Sequence, residues 1–454
     1  MIARSFVGLS WFAVAASLSA QCATSWQGLS ALPGADAQVR VMTVWDQDGA
    51  GPLPAKLVVG GAFEVVGSAR GRGIAAYDPA SGQWAAIGGG IGQQFLGETA
   101  VNAIAVLPNG DLVVAGTFLT AGDVAATCIA RWDGTSWHAF ADGIGGRVNA
   151  LAVSLGGELY AGGRFLFADG NTVSNVVRWD GTTWVSPGQG LNENVNSLAV
   201  LLDDTLLAGG AFTASGSTPM SALARWDGSG WSSFAGGIAG DVHALAVASN
   251  GYVYVGGAFV GATPANATGI ARWNGVPWSN LGGGSSNPVH AIGFTASGDL
   301  VIGGLFDAVS GVPASRAARW SGNTWSPLGA GFPANSNVFA FANLPDGTLG
   351  AGGNIQNGDG KGTSHLLRFD GANWGPLVAG TAGSVLASQR FQNGDLVVGG
   401  SFRQVAGIAA SGVARRVGAT WTALGSGIDG TVHCVLELAN GDLVVGGIFQ
   451  TAGG

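Results

Sequence analysis

Eight valines stand at almost even intervals along the chain: Val101, Val148, Val195, Val242, Val289, Val338, Val385 and Val432, with steps of 47, 47, 47, 47, 49, 47 and 47 residues. So regular a period constrains the fold more than any local motif. Each repeat must be one small structural unit that buries its apolar face only by stacking on its neighbours. Read from Val148, one unit holds four short apolar runs: VNALAV (148–153), ELYAGGRF (158–165), VVRWDG (176–181) and TTWVSP (182–187). Asn-Gly pairs such as Asn109-Gly110 and Asn250-Gly251 fall between the first and second runs, and Asp133-Gly134, Asp180-Gly181, Asp227-Gly228 and Asp370-Gly371 fall between the third and fourth. These are the dipeptides that a tight hairpin uses to reach positive φ.

Four antiparallel strands in some 47 residues describe one blade of a β-propeller, so the expected fold is all-β. Eight complete repeats run over residues 39–431, and 432–454 supplies strands one and two of a further, partial repeat. Near the start, TSWQGLSALPG (24–34) matches only a fourth strand. These complementary ends suit a ring closed by a split blade, because an open propeller would expose strand edges and an apolar blade face; the count is then nine blades with a split one, or eight with loose ends. A third strand for that blade is missing from the sequence. Either the closing blade is three-stranded or the chain is a fragment of something longer.

Residues 1–20 read differently. Arg4 precedes the apolar run FVGLSWFAVAASLSA, which is too short to span a bilayer, and Ser19 and Ala20 suit signal cleavage. The expectation is a signal peptide over 1–20, export to an extracellular, periplasmic or cell-surface location, and a single propeller domain over 21–454. No later run is long and apolar enough to suggest membrane insertion. Charged residues are only 10% of the chain, the net charge is −8, and lysine occurs only at 56 and 361, so nucleic acid is not an expected partner. Cys22, Cys128 and Cys434 make no disulfide framework, which leaves stability to the core.

The di-glycine that closes strand two (Gly162-Gly163, Gly209-Gly210, Gly256-Gly257, Gly303-Gly304, Gly399-Gly400, Gly446-Gly447), followed by an aromatic and a tryptophan a few residues apart, resembles the kelch repeat. The fuller pattern, with its Arg-Trp-Asp-Gly-x-x-Trp core, is similar to repeats of secreted bacterial propellers and of the Rax2-like cell-surface propeller of fungi. That resemblance implies a propeller fold. It leaves function open, since kelch-like propellers include oxidases, lectin-like binders and scaffolds.

Tryptophan pairs such as Trp132 and Trp137 recur in nearly every unit, so packing between blades accounts for them better than a binding site does. The repeated arginines (Arg131, Arg178, Arg225, Arg272, Arg319, Arg368, Arg415) are expected to pair with repeat acids such as Asp133 or with turn carbonyls. Recognition is expected on the connections from strand two to strand three (119–127, 213–221, 307–315), which vary in composition and lie opposite the Asn-Gly and Asp-Gly turns. The residue after each opening valine lies nearest that face. Asn102, Asn149, Asn196, His243, His290 and His433 are therefore the candidate binding residues, either lining a channel mouth or satisfying carbonyls of the next blade. No cofactor is expected, with one possible exception: Asp46 and Asp48, in the first repeat's insertion (45–55), have half the spacing of a calcium loop. The Gly-rich NGDGKG (357–362) reads as a loop.

Catalysis fits poorly. Glycoside hydrolysis needs two carboxyl groups facing one cleft, yet the glutamates at 64, 98, 158, 193 and 437 are scattered over different units. The expected function is a non-catalytic interaction module that binds a protein or a surface carbohydrate. A polysaccharide-active hydrolase or lyase with its site at the channel mouth, or a structural component of the cell envelope, are the alternatives.

Overall fold

The computed structural model describes residues 35–453, except 49–50, 68, 93–97, 263–265, 276–277, 356–364, 377–384, 391–392, 394, 406–407, 418–419 and 438–441. The expected signal segment, the strand at 24–34 and the NGDGKG loop lie outside them. The chain divides into two compact units, Leu32–Val378 and one that holds Ala379–Gly454.

The larger unit contains seven sheets of antiparallel strands, one per repeat, each built in the order one-two-three-four. In the first blade these strands are Val39–Trp45, Lys56–Gly61, Ile74–Asp78 and Gln83–Ala86. In the third they are Ile144–Val153, Leu159–Ala168, Val176–Trp179 and Trp184–Val185. The smaller unit holds the eighth four-stranded sheet, which begins with Val385–Arg390, and a two-stranded sheet of Thr431–Glu437 and Leu443–Ile448. The repeat boundaries thus fall where the valines place them, and the architecture is that of a β-propeller. Among the described residues no helix is long and apolar enough to cross a membrane.

The di-glycine explains how blades stack. A Cβ on Gly162 would lie 2.6 Å from Cγ1 of Val195, the opening valine of the next blade, so the missing side chain makes room for that valine. A Cβ on Gly163 would lie 2.1 Å from the carbonyl oxygen of Arg147 on its own blade's first strand. That close approach accompanies a β-bulge, since strand one slips register between Val148 and Ala150. The same slip follows Val39, Val101, Val195, Val242, Val289 and Val338. One extra residue per blade is left out of the ladder and its side chain is re-aimed.

The larger unit closes on itself. A Cβ on Gly352, in the seventh blade, would lie 2.6 Å from Cγ1 of Val39 in the first. Val39, Met42, Leu57 and Val59 share one buried cluster with Leu344 and Leu366. The seam between blades seven and one is therefore built like every other seam. The repeat count leads to eight blades with loose ends or nine with a split one, whereas side-chain packing closes this unit after seven.

The tryptophans are masonry. Trp132 and Trp137 face each other across strands three and four with centroids 5.2 Å apart, and pairs 179/184, 226/231, 273/278 and 320/325 repeat the arrangement. The fourth-strand indole also donates to the preceding blade: Trp137 Nε1 to Gly88 O at 3.0 Å, Trp231 to Pro187 O at 2.9 Å and Trp374 to Leu328 O at 2.9 Å. Arginine pairing departs from expectation in one respect. All the repeat arginines of strand three but Arg272, which lies over the Tyr252 ring, take the acid of the turn between strands one and two, as in Arg131–Asp111 at 2.7 Å and Arg368–Asp346 at 3.3 Å. Asp133 instead caps its own turn, accepting the amides of Thr135 and Ser136 at 2.8 Å. Strands one, two and three are adjacent in the sheet, so the guanidinium reaches across to the inner turn rather than forward to its own.

Candidate functional site at the channel mouth

In the larger unit the bulge residues are Arg40, Asn102, Asn149, Asn196, His243, His290 and Phe339, all half-buried. All seven line one central cavity of about 550 Å³. The layers behind them are small (Ala103, Ala150, Ser197, Ala244, Ala291, Ala340) and then aliphatic or aromatic (Met42, Ile104, Leu151, Leu198, Leu245, Ile292, Phe341). The cavity therefore has a polar rim over an apolar throat, because residues one, two and three past each valine come from successive levels of the same strand.

The rim has two halves. On blades one to four, Arg40 donates to Asn102 Oδ1 at 2.8 Å, Asn102 Nδ2 to Val148 O at 2.9 Å, Asn149 Nδ2 to Val195 O at 3.0 Å and Asn196 Nδ2 to Val242 O at 2.9 Å. Each asparagine thus reaches the opening valine of the next blade, a carbonyl that the bulge frees from the ladder. On blades five to seven rings meet instead: His243 and His290 lie 4.8 Å apart, tilted at 40°, and His290 and Phe339 stack 6.0 Å apart at 27°. Burial, then the neighbouring His290, pushes His243 down to about 4. Burial likewise lowers His290, against its contact with Asn337 Oδ1 at 2.8 Å. Both imidazoles are neutral near pH 7, so this arc carries no charge.

Five of the six residues singled out from sequence, Asn102, Asn149, Asn196, His243 and His290, are brought together here. His433 occupies the matching place in the smaller unit, where it is exposed. Arg40 was missed, although it follows Val39 as Asn102 follows Val101; the insertion after Trp45 breaks the 47-residue spacing that aligned the others. Arg147 was also missed. It precedes its valine and lines the cavity because strand one of the third blade begins four residues early, at Ile144. Asp46 and Asp48 are not joined by further ligands: Asp48 Oδ2 accepts the Leu53 amide at 3.0 Å, and among the described residues no three His, Cys, Asp or Glu side chains converge as a metal set.

The connections at 119–127, 213–221 and 307–315 are more ordered than their composition suggests. Within them Thr120–Ala121 pairs Val124–Ala125, Ala214–Ser215 pairs Thr218–Pro219, and Ala308–Val309 pairs Val312–Pro313. Residues entering the blade clasp two of them: Asn192 Oδ1 accepts the amides of Thr213 and Ala214, and Ser286 Oγ those of Asp307 and Ala308. Blades three and five depart from this plan. Their inner hairpins are longer, and they expose Leu166, Phe167 and Val260.

No family model and no curated protein matches the chain. Solved structures do. The WD40 β-propeller domain of Doa1 aligns with 72% of this chain and 92% of that one at 15% identity and a TM-score of 0.43. A chain of the mitotic checkpoint complex aligns with 77% of this chain and 96% of its own at 16% identity and a TM-score of 0.43. It is the sheet order above, one four-stranded antiparallel blade per repeat, that makes the chain a β-propeller repeat protein.

Proposed function

We propose that this protein is an exported, non-catalytic binding module of kelch-like build, which recognises a surface glycan or protein at the mouth of the central cavity. The observation that carries this reading is the ring of bulges. Seven blades each spend one ladder position to turn a single side chain toward one cavity, and bulges that re-aim side chains cluster at functional sites. Among the described residues the lining holds no Asp or Glu, so the pair of carboxyl groups that most glycosidases use is not found there, which favours the binding reading. A cavity of about 550 Å³ lies within the roughly 300–1,000 Å³ of pockets that hold small organic groups.

A glycan array probed with the labelled protein tests this. Binding that weakens in Phe339→Ala but persists when Leu155 and Leu202, exposed on turns between strands one and two, are changed to Ser supports it. Binding lost only with the turn changes would move the site to the opposite face. Release of new reducing ends from a bound polysaccharide would replace the module with an enzyme.

A further inference from the structure

Six of the seven arginines at the repeat position on strand three have an acidic partner, as in Arg131–Asp111, Arg225–Asp203 and Arg319–Asp299, and the seventh, Arg272, lies over the Tyr252 ring. Arg147 has no ion pair or hydrogen bond with any described residue, yet it lines the cavity. Directly opposite it in the antiparallel register stands Arg164, equally unpaired among the described residues. Like charges facing across a strand pair are destabilising. In a chain with 19 basic residues and a net charge of −8, acids to relieve the pair are plentiful elsewhere. The nearest one, Glu98, is taken by Arg40. Arg147 is exposed at the rim; partial desolvation and then the field of Arg40 lower its pKa, and Glu98 opposes them.

Across the rim from this cationic edge lies the uncharged arc of His243, His290 and Phe339. One side of the mouth thus suits an anion and the other an uncharged ring surface, with Asn149 Oδ1, beside Arg147 on the same strand, buried and without a hydrogen-bond partner. Guanidinium matches carboxylate as a two-toothed fork. We infer that the mouth binds a carboxylate-bearing sugar, a hexuronate, with Arg147 holding the carboxylate and the His290–Phe339 arc facing the sugar ring. This rests on the binding role proposed for the mouth and names its ligand class. The hexuronate could be free or part of a polyuronide.

Calorimetric titration of the full chain with galacturonate and glucuronate, with galactose and glucose as neutral counterparts and trigalacturonate as the chain form, tests it. The acids should bind at least tenfold more tightly than the neutral sugars. Arg147→Gln should remove that preference, while its unfolding midpoint stays level or rises as the repulsion from Arg164 is relieved. Arg147→Lys, which keeps the charge and loses the fork, should fall between the two. Trigalacturonate binding more tightly than the monomer identifies a chain as the source, and equal affinity identifies the free acid. Neutral sugars that bind as well as the acids, in a manner sensitive to Phe339→Ala, would overturn the ligand class and leave the binding role standing. Acid binding unaffected by both Arg147→Gln and Phe339→Ala would overturn both.

Discussion

Adding one methyl group at Gly352 probes the seam between blades seven and one. The alanine Cβ would sit 2.6 Å from Val39 Cγ1 and 2.8 Å from Met42 Sδ, against a comfortable carbon–carbon separation of about 3.5–4.0 Å. Met42 can swing aside, but Val39 is β-branched and fully buried, so the two blades must part by about an ångström or Val39 must leave its rotamer. Overpacking of this kind costs about 1–3 kcal/mol. Gly209→Ala gives the interior reference, because its Cβ would lie 2.4 Å from Val242 Cγ1 at the seam between blades four and five. Gly375→Ala is the control: no atom lies within 4 Å of its Cβ, so the change should be neutral or stabilise by about 0.4–1 kcal/mol through the unfolded chain. Urea unfolding followed by tryptophan fluorescence ranks the three. If Gly352→Ala behaves like Gly375→Ala while Gly209→Ala is destabilised, blades one and seven do not meet, and the seven-blade closure fails.

Three further outcomes are expected. Trp226→Ala should lower stability by about 3–5 kcal/mol, since the indole is 9% exposed and packed on Trp231; an unchanged midpoint with lost ligand binding would make it a site residue. Unfolded histidine titrates near 6.5 but His243 in the fold only at about 4, so the unfolded state binds the proton first and stability should fall as pH drops from about 6.5 to 4; His243→Asn, which copies Asn196, should flatten that slope, and an unchanged slope would contradict the assignment. Iodoacetamide on the native protein should label exposed Cys434 and spare Cys128, which is buried with its thiol pKa raised by burial; peptide mapping that finds Cys128 modified first would refute this.

Blade architecture was legible in the sequence because turn chemistry and apolar runs recur at a fixed period, and these are local properties. Ring closure was not. Every blade carries the same valine and the same small residue opposite it, so any blade could close on any other; the blade that meets Val39 is set by the accumulated angle between sheets, which no single repeat encodes. The candidate site was half legible. Position after the valine led to Asn102, Asn149, Asn196, His243 and His290, but the bulge that turns them inward shows only in the ladder register. Arg147 lies before its valine, and its lack of an acid is a property of three-dimensional neighbours.

The closure of the larger unit can be read most directly by disulfide trapping. In a chain whose native cysteines are replaced by serine, Val39→Cys with Gly352→Cys places two Cβ atoms about 3.1 Å apart, close to the 3.5–4.5 Å of a disulfide. Val195→Cys with Gly162→Cys, at 3.2 Å, is the same pair at an interior seam. Seven-blade closure predicts that mild oxidation links both pairs to a similar extent, seen as a mobility shift reversed by reductant. Efficient linkage of 162 to 195 with 39 and 352 left reduced would show that the first blade meets something other than the seventh.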